Sequence, residues 1–430
     1  MTTAVDNSTE EKAGAFYPNI PGSKSFTNRA LILAAQYPGV TKVTGGLHCD
    51  DTDRLAVALD QFGGLSAEKT ADGFRVERLG VEIEAPAEPV NLNGGGTPAR
   101  FMQSFAASAS GATVVTGNTR LCERPMGDLH RAFDTMGVQY ECVEAADQLP
   151  VRIHGGQPNT NAWTIRGNVS SQFLSSILLL AAQQDRQITV NVDGPLVSKP
   201  YVDMTLQIMR YCGVNVEQEG FGSFVVTPID QGVAEIPIEV DASGMSYFLQ
   251  AAAITKKTVV IRNIGSGSAQ GDVGLLKVLG DMGCDIVLAD DYVQITGGDL
   301  NGVDVDMESM PDVVLTLAAV AALAKGETRI HNIANLRIKE CDRIHAAAAE
   351  LNRLGVPTEE GEDFIVVRPD GPLKPALVET YDDHRVAMAF GTLSLIEPDI
   401  KVEDPACVGK SFPMFWDELD RFRQHLNATK

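Results

Sequence analysis

At 430 residues the chain is long enough for two or three domains, each with a full core. A hydrophobic content of 44% with 21% charged residues is that of a soluble globular protein, and no apolar run reaches the roughly 18 residues of a membrane span. The formal net charge of −22 excludes a general nucleic-acid binder and makes any cluster of cations informative.

The opening stretch, MTTAVDNSTEEKAGA, lacks an apolar centre and carries acids, so it reads as a solvated tail and not as a signal or transit peptide. Residues 19–35, NIPGSKSFTNRALILAA, follow a buried-helix pattern whose first turn holds Lys24, Ser25, Thr27, Asn28 and Arg29. A helix N-terminus already presents unpaired N–H groups and partial positive charge, so cations there imply a strongly anionic neighbour. That neighbour is not a nucleotide in a P-loop, because Pro18 and Ser23 stand where the motif needs glycine.

Residues 93–101, NGGGTPARF, are a Gly-rich turn into a helix with Arg100 in its first turn; an anion cradle and a plain turn both fit. Residues 169–180 open a helix with Ser170, Ser171 and Gln172, donors for a ligand or ordinary caps. Asp312 stands at the mouth of an almost wholly apolar helix, where a partly desolvated carboxylate suits general-base work as well as simple dipole matching. NLRIKECDR, 335–343, gathers Lys339, Glu340, Asp342 and Arg343 within five residues. TYDDHRVAMAF, 380–390, puts Asp383, His384 and Arg385 before another apolar helix, and the lone His384 reads as structural.

Internal repeats set the architecture. A strand ending in a turn recurs at Val43, Val115, Val192, Ile261, Ile330 and Val402, at spacings of 72, 77, 69, 69 and 72. A helix-ending glycine recurs out of phase at Gly63, Gly137, Gly213, Gly283 and Gly355, at spacings of 74, 76, 70 and 72. Each unit reads helix, strand, loop, helix, Gly, strand, strand, and six such units predict two domains of three, divided near residues 235–244. Four of the six loops after the repeated strand carry Lys or Arg among small polar residues at a comparable position, and such loops converging would form an anion pocket. The seven cysteines (Cys49, Cys122, Cys142, Cys212, Cys284, Cys341 and Cys407) are dispersed without a C-x-x-C pair, which fits reduced thiols in a cytoplasm and no disulfide frame or zinc site.

The motifs occur in the order GSKS-x-x-NR, GGT-x-x-R, ERP-x-GD, SSQ, SKPY, DAS-x-x-SY, PD, N-x-R-x-KE-x-DR, DHR-x-AM and GKSFP. Over about residues 16–425 this order resembles the 5-enolpyruvylshikimate-3-phosphate synthase family. The resemblance implies an α/β fold of two domains with three βαβαββ units each and the active site between them. It implies domains at 22–240 and at 1–21 plus 241–430. The implied reaction moves the enolpyruvyl group of phosphoenolpyruvate to the 5-hydroxyl of shikimate 3-phosphate and releases phosphate, through a tetrahedral intermediate, with no metal or organic cofactor.

By the same resemblance, Ser25, Arg29, Ser170, Ser171, Ser198, Tyr201, Asp312, Asn335 and Lys339 hold shikimate 3-phosphate. Lys24, Gly96, Arg124, Arg343, Arg385 and Lys410 surround phosphoenolpyruvate, Lys24 also lies beside shikimate 3-phosphate, and Gln172 touches both substrates. Asp312 accepts the hydroxyl proton, Glu340 serves the methylene carbon and Lys24 stabilises developing charge. A cytoplasmic monomer with no nucleic-acid or membrane partner is implied as well. The chain departs from the family at Pro98 and Phe101, beside a loop that in the family forms one wall of the glyphosate site, and at Cys341, a small replacement expected to be harmless.

Two other readings compete. The sister enzyme acting on UDP-N-acetylglucosamine shares the fold but carries Lys-Asn where Lys24-Ser25 stands and lacks the Lys-Glu-x-Asp-Arg motif. Its reactive cysteine lies about five residues before an Arg-Pro pair, whereas Cys122 lies two before Arg124. A non-catalytic repeat scaffold explains six units but not Lys24, Asp312, Glu340 and Arg385 together.

Overall fold

The structure, a computed structural model, describes residues 12, 14–80, 82–168, 170–229 and 231–428. Most of the stretch read as a solvated tail lies outside the described residues. The second unit shows the repeat in full. Strand Val90–Asn91 lies parallel to Ala112–Thr116, with helix Gly96–Ala106 between them; helix Gly127–Met136 and the antiparallel pair Gln139–Cys142 and Val151–His154 complete it. The third unit, from Ala162–Arg166 to Ser223–Thr227, and the fifth, from Asp304–Asp306 to Phe364–Val367, repeat this order of pairing.

The predicted helix stops are real but not uniform. Gly137 has φ 74° and Gly355 φ 83°, the left-handed conformation expected after a helix. In the first unit Gly64 (φ 86°), and not Gly63, takes that conformation, because the backbone of Gly63 is already paired with Glu84. The sixth unit is shorter than the others. It pairs Leu377–Val378 with Lys401–Val402 around helix His384–Gly391 and ends in helix Phe415–Ala428. The glycine marker has no sixth copy either, so marker and final hairpin are missing together.

Two units borrow a strand. Glu235–Pro237, after the third unit, runs parallel to Gly39–Thr44 and completes the first sheet. Phe16 bridges Val259 in parallel at the edge of the fourth. The apolar helices, such as Ser171–Ala182 and Val314–Ala321, are buried almost all round. They fill two separate cores, one running from Phe26 to Ile238 and the other joining Phe16 to Val240–Phe422. The chain passes between the cores at two adjacent strands, where Ser23 N–H donates to Glu239 O at 2.8 Å and Asp241 N–H to Pro21 O at 2.9 Å. All seven cysteines are free, and among the described residues no helix is long and apolar enough to cross a membrane.

Candidate active site

Helix N-termini from both cores meet around a cleft. Lys24 begins helix Lys24–Gln36, capped by Ser23, whose hydroxyl accepts from Phe26 N–H. Its ammonium is 3.1 Å from Asp51 Oδ2. Burial opposes the charge on Lys24, but Asp51 outweighs it and holds the ammonium above its ordinary range. Asp51, at the start of the next helix, therefore belongs to the site, although the sequence marked its loop only as one of six.

Gly96 is the first residue of its helix, and a Cβ there would stand 2.6 Å from Arg124 Nη1. The guanidinium thus rests on a surface that only glycine leaves open. Gly96→Ala is expected to fold normally, because the obstacle is the end of a flexible side chain, and to weaken roughly tenfold the binding of an anion held by Arg124. Titration of the parent and the variant with the anionic ligand checks this; an unchanged affinity contradicts it. Pro98 is the third residue of this helix. It is tolerated because N–H groups throughout the first turn lack intrahelical partners.

Ser170 caps helix Ser171–Ala182 by accepting from Gln172 N–H, so capping and cleft lining are both true of it. The Gln172 carbonyl oxygen accepts from Arg100, whose guanidinium carbon lies 5.0 Å from the Phe173 ring centroid. Burial, with Arg124 nearby, pushes Arg100 down to about 9, still a cation at neutral pH. Ser198 has φ 52°, and its hydroxyl accepts from Asn335 Nδ2 at 3.4 Å across the cleft. Tyr201 hydroxyl donates to Asp312 Oδ2 at 2.8 Å, a second bond between the two halves.

Arg343 organises the opposite wall. Its Nη1 donates to Asp312 Oδ1 and its Nη2 to Glu340 Oε2, each at 3.0 Å, while Nε donates to Asp383 Oδ2 at 2.7 Å. Arg385 Nη2 adds a 2.8 Å bond to Asp312 Oδ2, and Lys410 Nζ a 3.2 Å bond to Glu340 Oε1. Burial opposes ionisation of Asp312, but Arg385, Lys339 and Arg343 hold its carboxyl well below the usual range. For Glu340, burial is likewise outweighed, here by Arg343, Lys410 and Arg124. Burial, and the charge of Arg343, bring Lys339 below its ordinary value against the pull of Asp312.

Fifteen of the seventeen expected side chains or backbone positions line this cleft. Lys410 reaches it through Glu340. Arg29 stands behind it. It is 1% exposed, and its guanidinium donates to Thr205 Oγ1 at 2.7 Å, Ser25 O at 2.8 Å and Tyr201 O at 2.9 Å. Its donors are spent on holding three elements of the wall together from behind. His384, read as structural, instead lines the cleft, buried and with neither ring nitrogen hydrogen-bonded. Burial and the cations Lys24, Arg385 and Lys410 keep that imidazole neutral.

A duplicated half-molecule whose loops converge on so cationic a cleft defines a site for small polyanions. The sequence model of the EPSP synthase family (3-phosphoshikimate 1-carboxyvinyltransferase) matches residues 17–419. Curated relatives named 3-phosphoshikimate 1-carboxyvinyltransferase include those of Marinomonas sp. (strain MWYL1), 40% identical over 93% of this chain and 94% of its own. That of Aliivibrio fischeri (strain MJ11) is 41% identical over 93% of this chain and 95% of its own. A solved structure of EPSP synthase from Acinetobacter baumannii superposes with a TM-score of 0.80 at 26% identity, covering 95% of each chain. The chain belongs to the EPSP synthase family.

Proposed function

We propose that the protein transfers the enolpyruvyl group of phosphoenolpyruvate to the 5-hydroxyl of shikimate 3-phosphate, releasing phosphate. Beyond family membership, the observation that carries the catalytic reading is the pair of carboxylates, Asp312 and Glu340, held by different nitrogens of one buried guanidinium. Asp312, bonded to Tyr201 from the shikimate side, accepts the hydroxyl proton. Glu340, flanked by Arg343 and Lys410, protonates the methylene carbon in the addition and removes a proton in the elimination. Lys24 offsets charge on the departing phosphate.

Both acids are held ionised by their cations, which suits a base but not an acid. The phosphate and carboxylate of phosphoenolpyruvate, bound by Arg124, Arg343, Arg385 and Lys410, would cancel much of that field. Substrate binding thereby raises the proton affinity of Glu340 where the proton is needed. Ser170, Ser171, Ser198, Tyr201, Asn335 and Lys339 take shikimate 3-phosphate, and Gln172 reaches both substrates. The two cores act as domains, 22–240 and 1–21 plus 241–430, in a cytoplasmic monomer.

Phosphate release on mixing the protein with shikimate 3-phosphate and phosphoenolpyruvate tests the reaction. UDP-N-acetylglucosamine as acceptor is the matched control, and release with it alone would transfer the assignment to the sister activity.

The departures beside Gly96 add a prediction about glyphosate, the family's competitor of phosphoenolpyruvate. Phe101 is fully buried, its ring centroid 5.4 Å from the Arg29 guanidinium carbon, and so it ties the Gly96 helix to the first helix. A tie that shifts the loop slightly weakens a ligand that fills the site more than one that does not. The ratio of inhibition constant to KM is therefore expected to fall severalfold in Pro98→Ala with Phe101→Pro; an equal or higher ratio sinks the idea.

A further inference from the structure

Behind the main cleft lies a second, smaller cavity, and Lys24, Ser25, Tyr201 and Arg385 face both. Two acids line its rear, Asp241 and Asp272. Asp241 is occupied as a cap, accepting from Gly244 N–H at 2.7 Å and from Lys24 N–H at 3.0 Å. Asp272 comes from the loop GSGSAQGD, one of the six that follow the repeated strand and one without a cation. It is 6% exposed, and Ser243 hydroxyl donates to its Oδ2. A side chain on the preceding Gly271 would run into the Ser309 carbonyl and lie 2.7 Å from Pro200 Cβ, so the backbone is seated against both halves of the molecule.

We propose that Asp272 is a positioning residue for the reaction: from behind the partition it shares the charge of Arg385 with Asp312 and keeps Asp312 an effective base. This rests on the reading of Asp312 given above. The groups around Asp272 are Ser243 and Asp241 at the start of helix Ala242–Thr255, Tyr247 further along that helix, Lys24 on helix Lys24–Gln36, Tyr201 on helix Pro200–Tyr211, Asp312 on the turn Pro311–Val313, and Arg385 on helix His384–Gly391. Burial, then the negative charge of Asp312, push the Asp272 carboxyl up to about 7 against the pull of Arg385 and Ser243. As pH rises through neutrality, Asp272 ionises. Its charge competes for Arg385 and repels that of Asp312, which then binds a proton more readily.

The test is kcat against pH, at saturating substrates, for the parent, Asp272→Asn and Ser243→Ala. Parental kcat rises through neutral pH. Asp272→Asn loses that rise, falling roughly tenfold below the parent by about pH 8.5 and converging on it toward about pH 6, with KM changed less than about twofold. Ser243→Ala moves the rise to higher pH, because it removes a donor to the ionised carboxylate. An Asp272→Asn profile that superposes on the parent's, or lies below it by one factor at every pH, overturns the inference. If that variant does not fold, an unmoved rise in Ser243→Ala does the same. The two readings separate cleanly: near-parental turnover in Asp312→Ala removes the base and this inference with it, whereas an inactive Asp312→Ala beside an unchanged Asp272→Asn profile overturns the inference alone.

Discussion

Asp312→Ala and Glu340→Ala each lower kcat by about 10²-fold or more, the scale of a positioned acid or base, while the protein stays folded. Each carboxylate is 18% exposed at the cleft edge, so water can reach the space its removal leaves. The two variants should differ in how they fail. Without Asp312 the 5-hydroxyl keeps its proton and the addition is slowed. Without Glu340 the methylene carbon is not protonated, and hydrogen exchange at that carbon stops as well. Rapid-quench measurement of intermediate formation, together with exchange of label from solvent into the methylene group, separates them. Turnover near the parental rate in either variant removes that residue from the mechanism.

Arg343→Met removes activity and stability together. The guanidinium is 2% exposed and Asp383, its partner at 2.7 Å, is fully buried. Deleting one member of such a pair strands the other, at a cost of roughly 3–5 kcal/mol. Asp383 also caps helix His384–Gly391, accepting from Arg385 N–H at 2.9 Å, so its displacement carries Arg385 away from Asp312. Equilibrium denaturation should show the loss directly, and Arg343→Lys should recover part of it by restoring charge without the three-way fork. A variant as stable as the parent would show that Asp383 finds another partner.

The first-turn cations of NIPGSKSFTNRALILAA posed a problem that helix electrostatics could state in advance, and Lys24 does face the cleft. Its partner Asp51 was hidden because the pairing joins two helices whose spacing depends on tertiary packing. Arg29 sits in the same motif, yet its fate is decided by Thr205 and Tyr201, far along the chain, and local pattern carries no trace of them. His384 is the converse case: it is buried, as a lone histidine before an apolar helix suggests, and it also lines the cleft where helix ends from both cores converge. The repeat was legible because two markers kept step, while the borrowed strands were not, since a strand's partner is not written into its own residues.

The borrowed strands also order events in time. Phe16 leaves the ribosome early, but its pairing partner Val259 follows only after most of the first core has been made. At a synthesis rate of about 5–20 residues per second, that edge waits roughly 10–50 s for its sheet. The strand Glu235–Pro237 closes the first sheet just before then, so the first core can finish while the second has only its N-terminal edge. A nascent chain whose strand Glu235–Pro237 has cleared the ribosome while Val259 has not should already resist protease across its first three units, with Phe16 still open to cleavage.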